Sequence, residues 1–230
     1  MRAIITISLF CMLCLLILYN SDYKKIFGEN GWSKTFESYH KDKLRILNNR
    51  YVNKQKILNT INFKNKSFFT LDLKEVSSQI LTIKEIESVK LEKQINGEIH
   101  LSVQEKKPIS LWIKNNKEFL IDENGGILEI EKNFFSNLLK VKGKSANVNA
   151  SSILKTIDTF PTIKKKLHLL EFISQYRWNL YLDENIIVKL PYKDIEKALR
   201  FLSDLFINKR LDIQRFNIID MRVNGRVFLR

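Results

Sequence analysis

From about residue 43 onward the apolar positions follow two periods, and their order along the chain predicts the elements. "KLRIL" reads as a short strand, after which Asn53 stands as the N-cap of a helix that puts Ile57, Leu58 and Ile61 on one face. Asp72 and Glu75 have the spacing of a capping box, opening a second helix that buries Val76 and Ile80. In "IESVKLEKQINGEIHLSVQE", Val89, Leu91 and Ile95 alternate with polar residues and Ile99, Leu101 and Val103 alternate back. Asn96-Gly97 between them is the pair that a two-residue type I′ turn favours, because both positions need positive φ. Strand, helix, helix, strand, strand packs two helices on a small sheet.

Past Pro108 the pattern changes to short strands, "ISLWI", "EFLID" and "GILEI", with turns at Asn115-Asn116 and Glu123–Gly126. A helix between Ser151 and Phe160 ends before Pro161. In "RWNLYLDENIIVKLP", Trp178, Leu180 and Leu182 project to one face and Asn179 and Tyr181 to the other, while Ile186, Val188 and Leu190 continue on the return strand. A helix from about Lys193 to Lys209 carries Ile195, Leu199, Leu202 and Phe206 at helical spacing, and "IQRFNIIDM" and "GRVFLR" supply the final strands.

One segment obeys neither period. "AIITISLFCMLCLLILY", Ala3–Tyr19, holds no charge and is bounded by Arg2 and by Lys24 and Lys25. As a helix it spans about 25 Å, the short end for a bilayer core, with Tyr19 and Tyr23 as interfacial anchors. A secretory signal peptide is the competing reading, but "ILYNSDY" offers no Ala-x-Ala-like cleavage site, which favours an uncleaved anchor. Orientation is contested between two rules. Lys24, Lys25, Lys34, Lys41 and Lys43 after the span favour a cytoplasmic body by the positive-inside count, whereas a chain with only Arg2 before its first span normally exports the body beyond it. The polar residues 22–42 read as a linker.

Composition adds little chemistry. At 44% hydrophobic content, 230 residues suffice for a real core. Both cysteines, Cys11 and Cys14, sit inside the apolar run, so no disulfide is expected to hold the body, and without a neighbouring ligand set their C-x-x-C spacing reads as two small apolar residues. The net charge of +14 invites a nucleic-acid partner, yet the lysines are dispersed, with "KKK" at Lys164–Lys166 the only dense run and no aromatic-basic signature. Attraction to an anionic membrane surface is a secondary consequence. "DEN" occurs twice, at Asp122–Asn124 and Asp183–Asn185, each time between apolar runs, where Asp and Asn serve turn hydrogen bonding more cheaply than a carboxylate pair serves catalysis. His40, His100 and His168 lack ligand spacing. No P-loop, G-x-G-x-x-G, G-x-S-x-G or H-E-x-x-H is present, and the helical Phe201 and Phe206 read as core.

No catalysis, metal or cofactor is therefore expected, and binding remains. Backbone groups on an exposed sheet edge accept a partner strand, and the last strand, near Arg226–Arg230, is a candidate; the alternative is an ordinary terminal strand guarded by its arginines.

Taken in order, the apolar segment, the strand-helix-helix-strand-strand unit, "VQEKKPISLW" with Glu105, Pro108 and Trp112, "FLIDENGGI", "RWNLYLDENIIVKLP" and "IIDMRVNGRVFLR" resemble the bacterial cell-division family FtsQ/DivIB over roughly residues 43 to 230. The resemblance implies an α+β protein: a transmembrane anchor (1–21), a linker (22–42), a POTRA domain of βααββ form (43–107) and a mixed β domain with flanking helices (108–230). It implies a periplasmic body on a single-span inner-membrane protein of the division septum, without enzymatic activity. By that likeness the chain recruits an FtsB/FtsL pair and connects it with the septal peptidoglycan synthase, with no nucleic acid or small-molecule substrate. In the family FtsB adds a strand beside the last strand, which follows a D-x-R pattern, here Asp220, Met221 and Arg222. Carried over, the partner-binding strand is Arg222, Val223, Asn224, Gly225, Arg226, Val227 and Phe228. Members usually carry a longer cytoplasmic tail than Met1 and Arg2. Two rivals are a POTRA-type assembly or secretion factor for envelope proteins, which predicts tandem units or a barrel, and a cell-wall hydrolase dependent on Asp183 or Glu184.

Overall fold

The computed structural model describes residues 39–64, 66–135, 137–208, 215–223 and 225–230. The expected span, Cys11, Cys14 and the linker up to residue 38 lie outside the described residues. Among the described residues, no helix is long and apolar enough to cross a membrane. The chain forms two compact units, one taking residues up to Leu47, Lys54–Ile80 and Val89–Ser102, the other Asn48–Asn53, Leu81–Ser88 and Val103–Arg230.

The first part of the fold runs β1 (Leu44–Leu47), α1 (Lys54–Thr60), α2 (Leu73–Ile80), β2 (Ile86–Lys93) and β3 (Ile99–Glu105). The strands form a sheet of order β1-β3-β2, with β1 parallel to β3 from Leu44 opposite Ile99 to Leu47 opposite Ser102. Ile57 and Ile61, Val76 and Ile80, and Ile99 and Leu101 are all buried, which is the face each period predicts. Asp72 caps α2: its Oδ1 accepts the Lys74 N–H at 2.8 Å and its carbonyl the Val76 N–H at 3.1 Å. Glu75 pairs instead with Lys66 Nζ, at 3.2 Å, because a cation within reach outcompetes a backbone amide for its carboxylate.

The turn between β2 and β3 differs from the expected type I′. Gly97 N–H donates to Gln94 O at 3.0 Å and Gln94 N–H to Glu98 O at 2.8 Å, so the loop has three residues. Only Gly97 has positive φ, +81°, and Asn96 spends its side chain accepting the Glu98 N–H at 3.1 Å. This is a type I turn closed by a left-handed glycine, and it puts Ile95 at the tip, fully exposed, rather than on the alternating face. The type I′ turn occurs instead between β4 (Ser110–Lys114) and β5 (Lys117–Ile121), where Asn115 and Asn116 have φ of +49° and +58°.

The second unit holds a nine-stranded sheet. To β4 and β5 it adds β6 (Ile127–Leu128), β7 (Lys140–Lys142), β8 (Leu167–Ile173), β9 (Arg177–Leu182), β10 (Ile187–Lys189), β11 (Ile218–Asp220) and β12 (Phe228–Leu229), in the order β12-β11-β10-β9-β8-β7-β4-β5-β6. The β7–β8 and β10–β11 pairs are parallel and so need crossovers. Helices α3 (Ala146–Asp158) and α4 (Pro161–Lys164) make the first, and α5 (Ile195–Asn208) lies within the second. α3 begins five residues ahead of the expected Ser151, because Ala146, Ala150, Ile153 and Ile157 form one buried stripe whose two alanines carry little apolar signal in the sequence. Pro161 does end α3, and then serves as the first residue of α4.

Registers chain across the sheet. Trp112, Val141, Leu170, Leu180, Val188, Ile219 and Leu229 lie opposite one another on seven strands from β4 to β12. The first six are buried and share a core with α3, α4 and α5, and half-buried Leu229 packs against it. The neighbouring row is polar for five strands, Lys142, Glu171, Asn179, Lys189 and Asp220, and ends at Phe228. Tyr181 hydroxyl donates to Glu171 at 2.5 Å, and burial together with that carboxylate pushes its pKa up to about 12.

Candidate functional site

Both "DEN" groups are turns. Asp122 is buried; its Oδ1 accepts the N–H groups of Asn124 at 3.0 Å and Gly126 at 2.7 Å, and its Oδ2 meets Lys106 Nζ at 3.0 Å. Burial pushes this carboxyl up, but Lys106 and the two amides outweigh it and hold the pKa below its ordinary value. Asp183–Asn185 is one 3-10 turn with Asn185 at φ +60°, and exposed Asp183 lies 3.6 Å from exposed His168. A cleft of about 670 Å³ includes Glu123, Asp158 and His168, but Glu123 is paired with Lys155, and Asp158 with Lys164 at 2.7 Å. His100 sits 3.5 Å from Glu98. Among the described residues no group of three or more acid, His or Cys side chains is placed to hold a metal ion.

The carboxy-terminal strand carries the remaining candidate. β12 pairs with β11 alone and ends the sheet among the described residues. Ile218 N–H donates to Arg230 O and Arg230 N–H to Ile218 O, both at 3.0 Å. In an antiparallel ladder the pair next to such a doubly bonded one makes no mutual bond, so Leu229, opposite Ile219, turns its N–H and C=O away from β11 toward the open side.

The strand is shorter than the sequence predicts. Of the expected Arg222–Phe228, only Phe228 is in β12; Arg222, Val223, Gly225, Arg226 and Val227 belong to the connection from β11, and Asn224 lies outside the described residues. The cause is local. Asp220 grips Arg222, taking Nε at 2.8 and 3.0 Å, Nη2 at 2.5 Å and the backbone N–H at 3.2 Å, which bends the chain directly after β11. Arg226 N–H then bonds Val223 O at 3.1 Å, with Gly225 at φ +73°, so a tight turn uses residues that would otherwise have extended the ladder. The arginine holds the Asp220 carboxyl below its ordinary pKa.

Aromatic residues flank this edge, of which only Phe228 was expected there from the sequence. On the polar-row face Tyr176, Tyr192 and Phe228 are exposed, the tyrosines edge-to-face at 5.9 Å, around a shallow cleft that includes Arg177, Arg222 and Arg230. On the helix face Phe201 is exposed rather than core and, with Ala198, Met221, Val223 and Val227, lines an apolar cleft of about 240 Å³. Phe206 is half-buried against the core as expected. The signal for Phe201 was available: Leu199, Leu202 and Phe206 define the buried stripe of α5, and Phe201 lies off it.

Comparison with known proteins supplies the relationship. A family model described as the C-terminal part of cell division protein FtsQ/DivIB matches residues 110–222, and one described as a POTRA domain of FtsQ type matches 42–106. The first match stops at Arg222, short of β12. The cell division protein FtsQ of Rickettsia typhi is 31% identical over 179 residues, covering 77% of this chain and 67% of the relative. That of Rickettsia felis is 28% identical over 229 residues, covering 97% and 85%. The major extracytoplasmic domain of the cell division protein DivIB of Geobacillus stearothermophilus is 14% identical, with a TM-score of 0.33 over 47% of this chain and 99% of that one. With both family models matched in order along the chain and 31% identity to the Rickettsia typhi protein, this chain belongs to the FtsQ/DivIB family of cell division proteins.

Proposed function

We propose that this protein is a non-enzymatic scaffold of the division septum that captures an FtsB/FtsL-type partner by strand addition at β12 and connects it with the septal peptidoglycan synthase. In this reading residues 1–21 are a single inner-membrane span, 22–42 a linker, and 43–107 and 108–230 a POTRA and a β domain in the periplasm. The observation that carries it is the outward-facing backbone of Leu229 on the last strand of the sheet, at the end of an apolar row that a partner side chain would extend. The carboxylates paired to lysines around the 670 Å³ cleft favour a binding role over hydrolysis.

Leu229→Pro tests the edge. Proline removes the one N–H that β11 does not use and sets its ring toward the incoming strand, while extended Phe228 tolerates a following proline. Leu229→Ala loses the packing yet keeps the N–H. With two main-chain bonds at about 1 kcal/mol each, the proline variant should bind the FtsB/FtsL pair at least about tenfold more weakly and the alanine variant should bind near normally. Equal binding by both variants sinks strand addition.

A further inference from the structure

The first unit carries its own surface, at the end where the described chain begins. Tyr39 is buried there: its N–H donates to Lys66 O at 2.6 Å, its hydroxyl to Lys43 O at 2.7 Å, and its ring lies 5.4 Å from Phe63 and 6.3 Å from Phe68. Burial pushes its hydroxyl up to about 12, so it stays a neutral donor at any physiological pH. The chain arriving from the apolar run is thus tied directly to the loop 63–70. Phe69 at that loop's tip is 68% exposed, edge-on to Phe68 at 5.3 Å. Lys93 Nζ lies 5.3 Å over the Phe68 ring and 3.4 Å from Phe69 O, which brings the end of β2 to the same place. Two residues on, Ile95 stands at the hairpin tip at 109% exposure. Exposed lysines belong to the same segments: Lys93 on Phe68 itself, Lys64 in the loop that carries Phe69, and Lys41 and Lys43 beside Tyr39, whose hydroxyl bonds the Lys43 carbonyl. Of the acids at this end, Glu75 meets Lys66 at 3.2 Å, Glu92 meets Lys90 at 2.7 Å and Glu98 meets Arg45 at 3.0 Å, Asp72 caps α2 by accepting the Lys74 N–H at 2.8 Å, and Asp42 lies between Lys41 and Lys43.

Two apolar tips with a basic surround, on the side where the chain arrives from Ala3–Tyr19, fit one occupant. We infer that Phe69 and Ile95 rest in the headgroup boundary of the anionic membrane that the amino-terminal run is proposed to span, with the lysines on lipid phosphates. Aromatic and aliphatic tips with flanking Lys are the usual composition of an interfacial contact. The nineteen residues between Tyr19 and Tyr39 can reach no more than about 65 Å even fully extended, so chain length tethers this end to the proposed span without fixing its orientation, which the tips then do.

The inference rests on the anchor reading, and the test separates the two. The full chain, with Cys11→Ser and Cys14→Ser, is reconstituted in phosphatidylethanolamine vesicles with or without phosphatidylglycerol. An environment-sensitive fluorophore is placed singly at Phe69→Cys, Ile95→Cys or Leu47→Cys; Leu47 is exposed and pairs with Ser102, three residues along the sheet from the Leu44–Ile99 end. Expected are a blue shift and quenching by nitroxide lipids at 69 and 95 but not at 47, both weakened without phosphatidylglycerol. Failure of the protein to float with vesicles overturns the anchor and with it this contact. Flotation with 69 and 95 as open to aqueous iodide as 47 overturns the contact alone, and leaves the tips to a protein partner.

Discussion

Glu105, at the end of β3, gathers the backbone N–H groups of residues 50–52 and the side chain of Asn49 onto one carboxylate, and its removal should unmake that segment. Its Oε1 accepts the N–H groups of Arg50 at 3.1 Å, Tyr51 at 3.0 Å and Val52 at 2.8 Å and Asn49 Nδ2 at 3.1 Å, while Oε2 shares only the Tyr51 N–H, at 3.1 Å. All of these residues lie in the second unit. Successive amides converging on one anion form a nest whose partial positive charges have no other acceptor there. In Glu105→Ala, charge-assisted bonds worth about 1.5–3 kcal/mol each are lost, but the donors sit near the surface and water replaces part of them, so the net cost is about 3 kcal/mol. Glu105→Gln retains an oxygen at the crowded Oε1 position and gives up only the charge and the shared Oε2 bond, a cost of about 1 kcal/mol. Hydrogen exchange at the amides of residues 50–52 reads this directly: about 100-fold faster in the alanine variant and no more than about tenfold in glutamine, with amides of β9 shifted less. Unchanged protection of these amides in Glu105→Ala would show that the segment is held by other contacts, and would refute the argument.

Packing and charge give three further expectations. Gly143→Ala would bring a Cβ to 2.4 Å from the Phe172 carbonyl oxygen at a φ of +119°, so it should cost about 2 kcal/mol or more, seen as a lower urea midpoint at unchanged slope; a neutral result would mean β7 and β8 part freely. Leu180→Ala, at the centre of the buried row, should cost about 3 kcal/mol in the same measurement. Asp122 has a depressed folded pKa, so its contribution is complete above the unfolded carboxyl value, near about 4, and is lost as pH falls through the folded one. Thermal melts from neutral to acid should therefore show a steeper loss below about pH 4 in the wild type than in Asp122→Asn, and parallel curves would remove Asp122 from the acid response.

Local chemistry was legible in the residues. Asp72 announced the start of α2 and Pro161 the end of α3, the "DEN" triplets announced turns, and the alternation of β9 and β10 gave their hairpin, because each depends on neighbours a few positions away. Even there, the choice between two turn geometries passed to Asn115-Asn116 rather than Asn96-Gly97, since loop length is set by the register of both strands and not by the dipeptide. The family was likewise legible, carried by the order of its motifs. What the tertiary structure alone decided is which strands adjoin. β7 is three residues long and β8 begins within a lysine-rich stretch, so neither announces itself, yet they bridge β4 to β9 and make one sheet of two halves. At the other end, the parallel pairing of β10 with β11, between residues some thirty apart, is what leaves β12 outermost and turns the Leu229 backbone outward; the short bend built by Asp220 and Arg222 decided how little of the tail becomes strand. An edge is a property of neighbours, and a single strand's residues do not encode whether a neighbour exists.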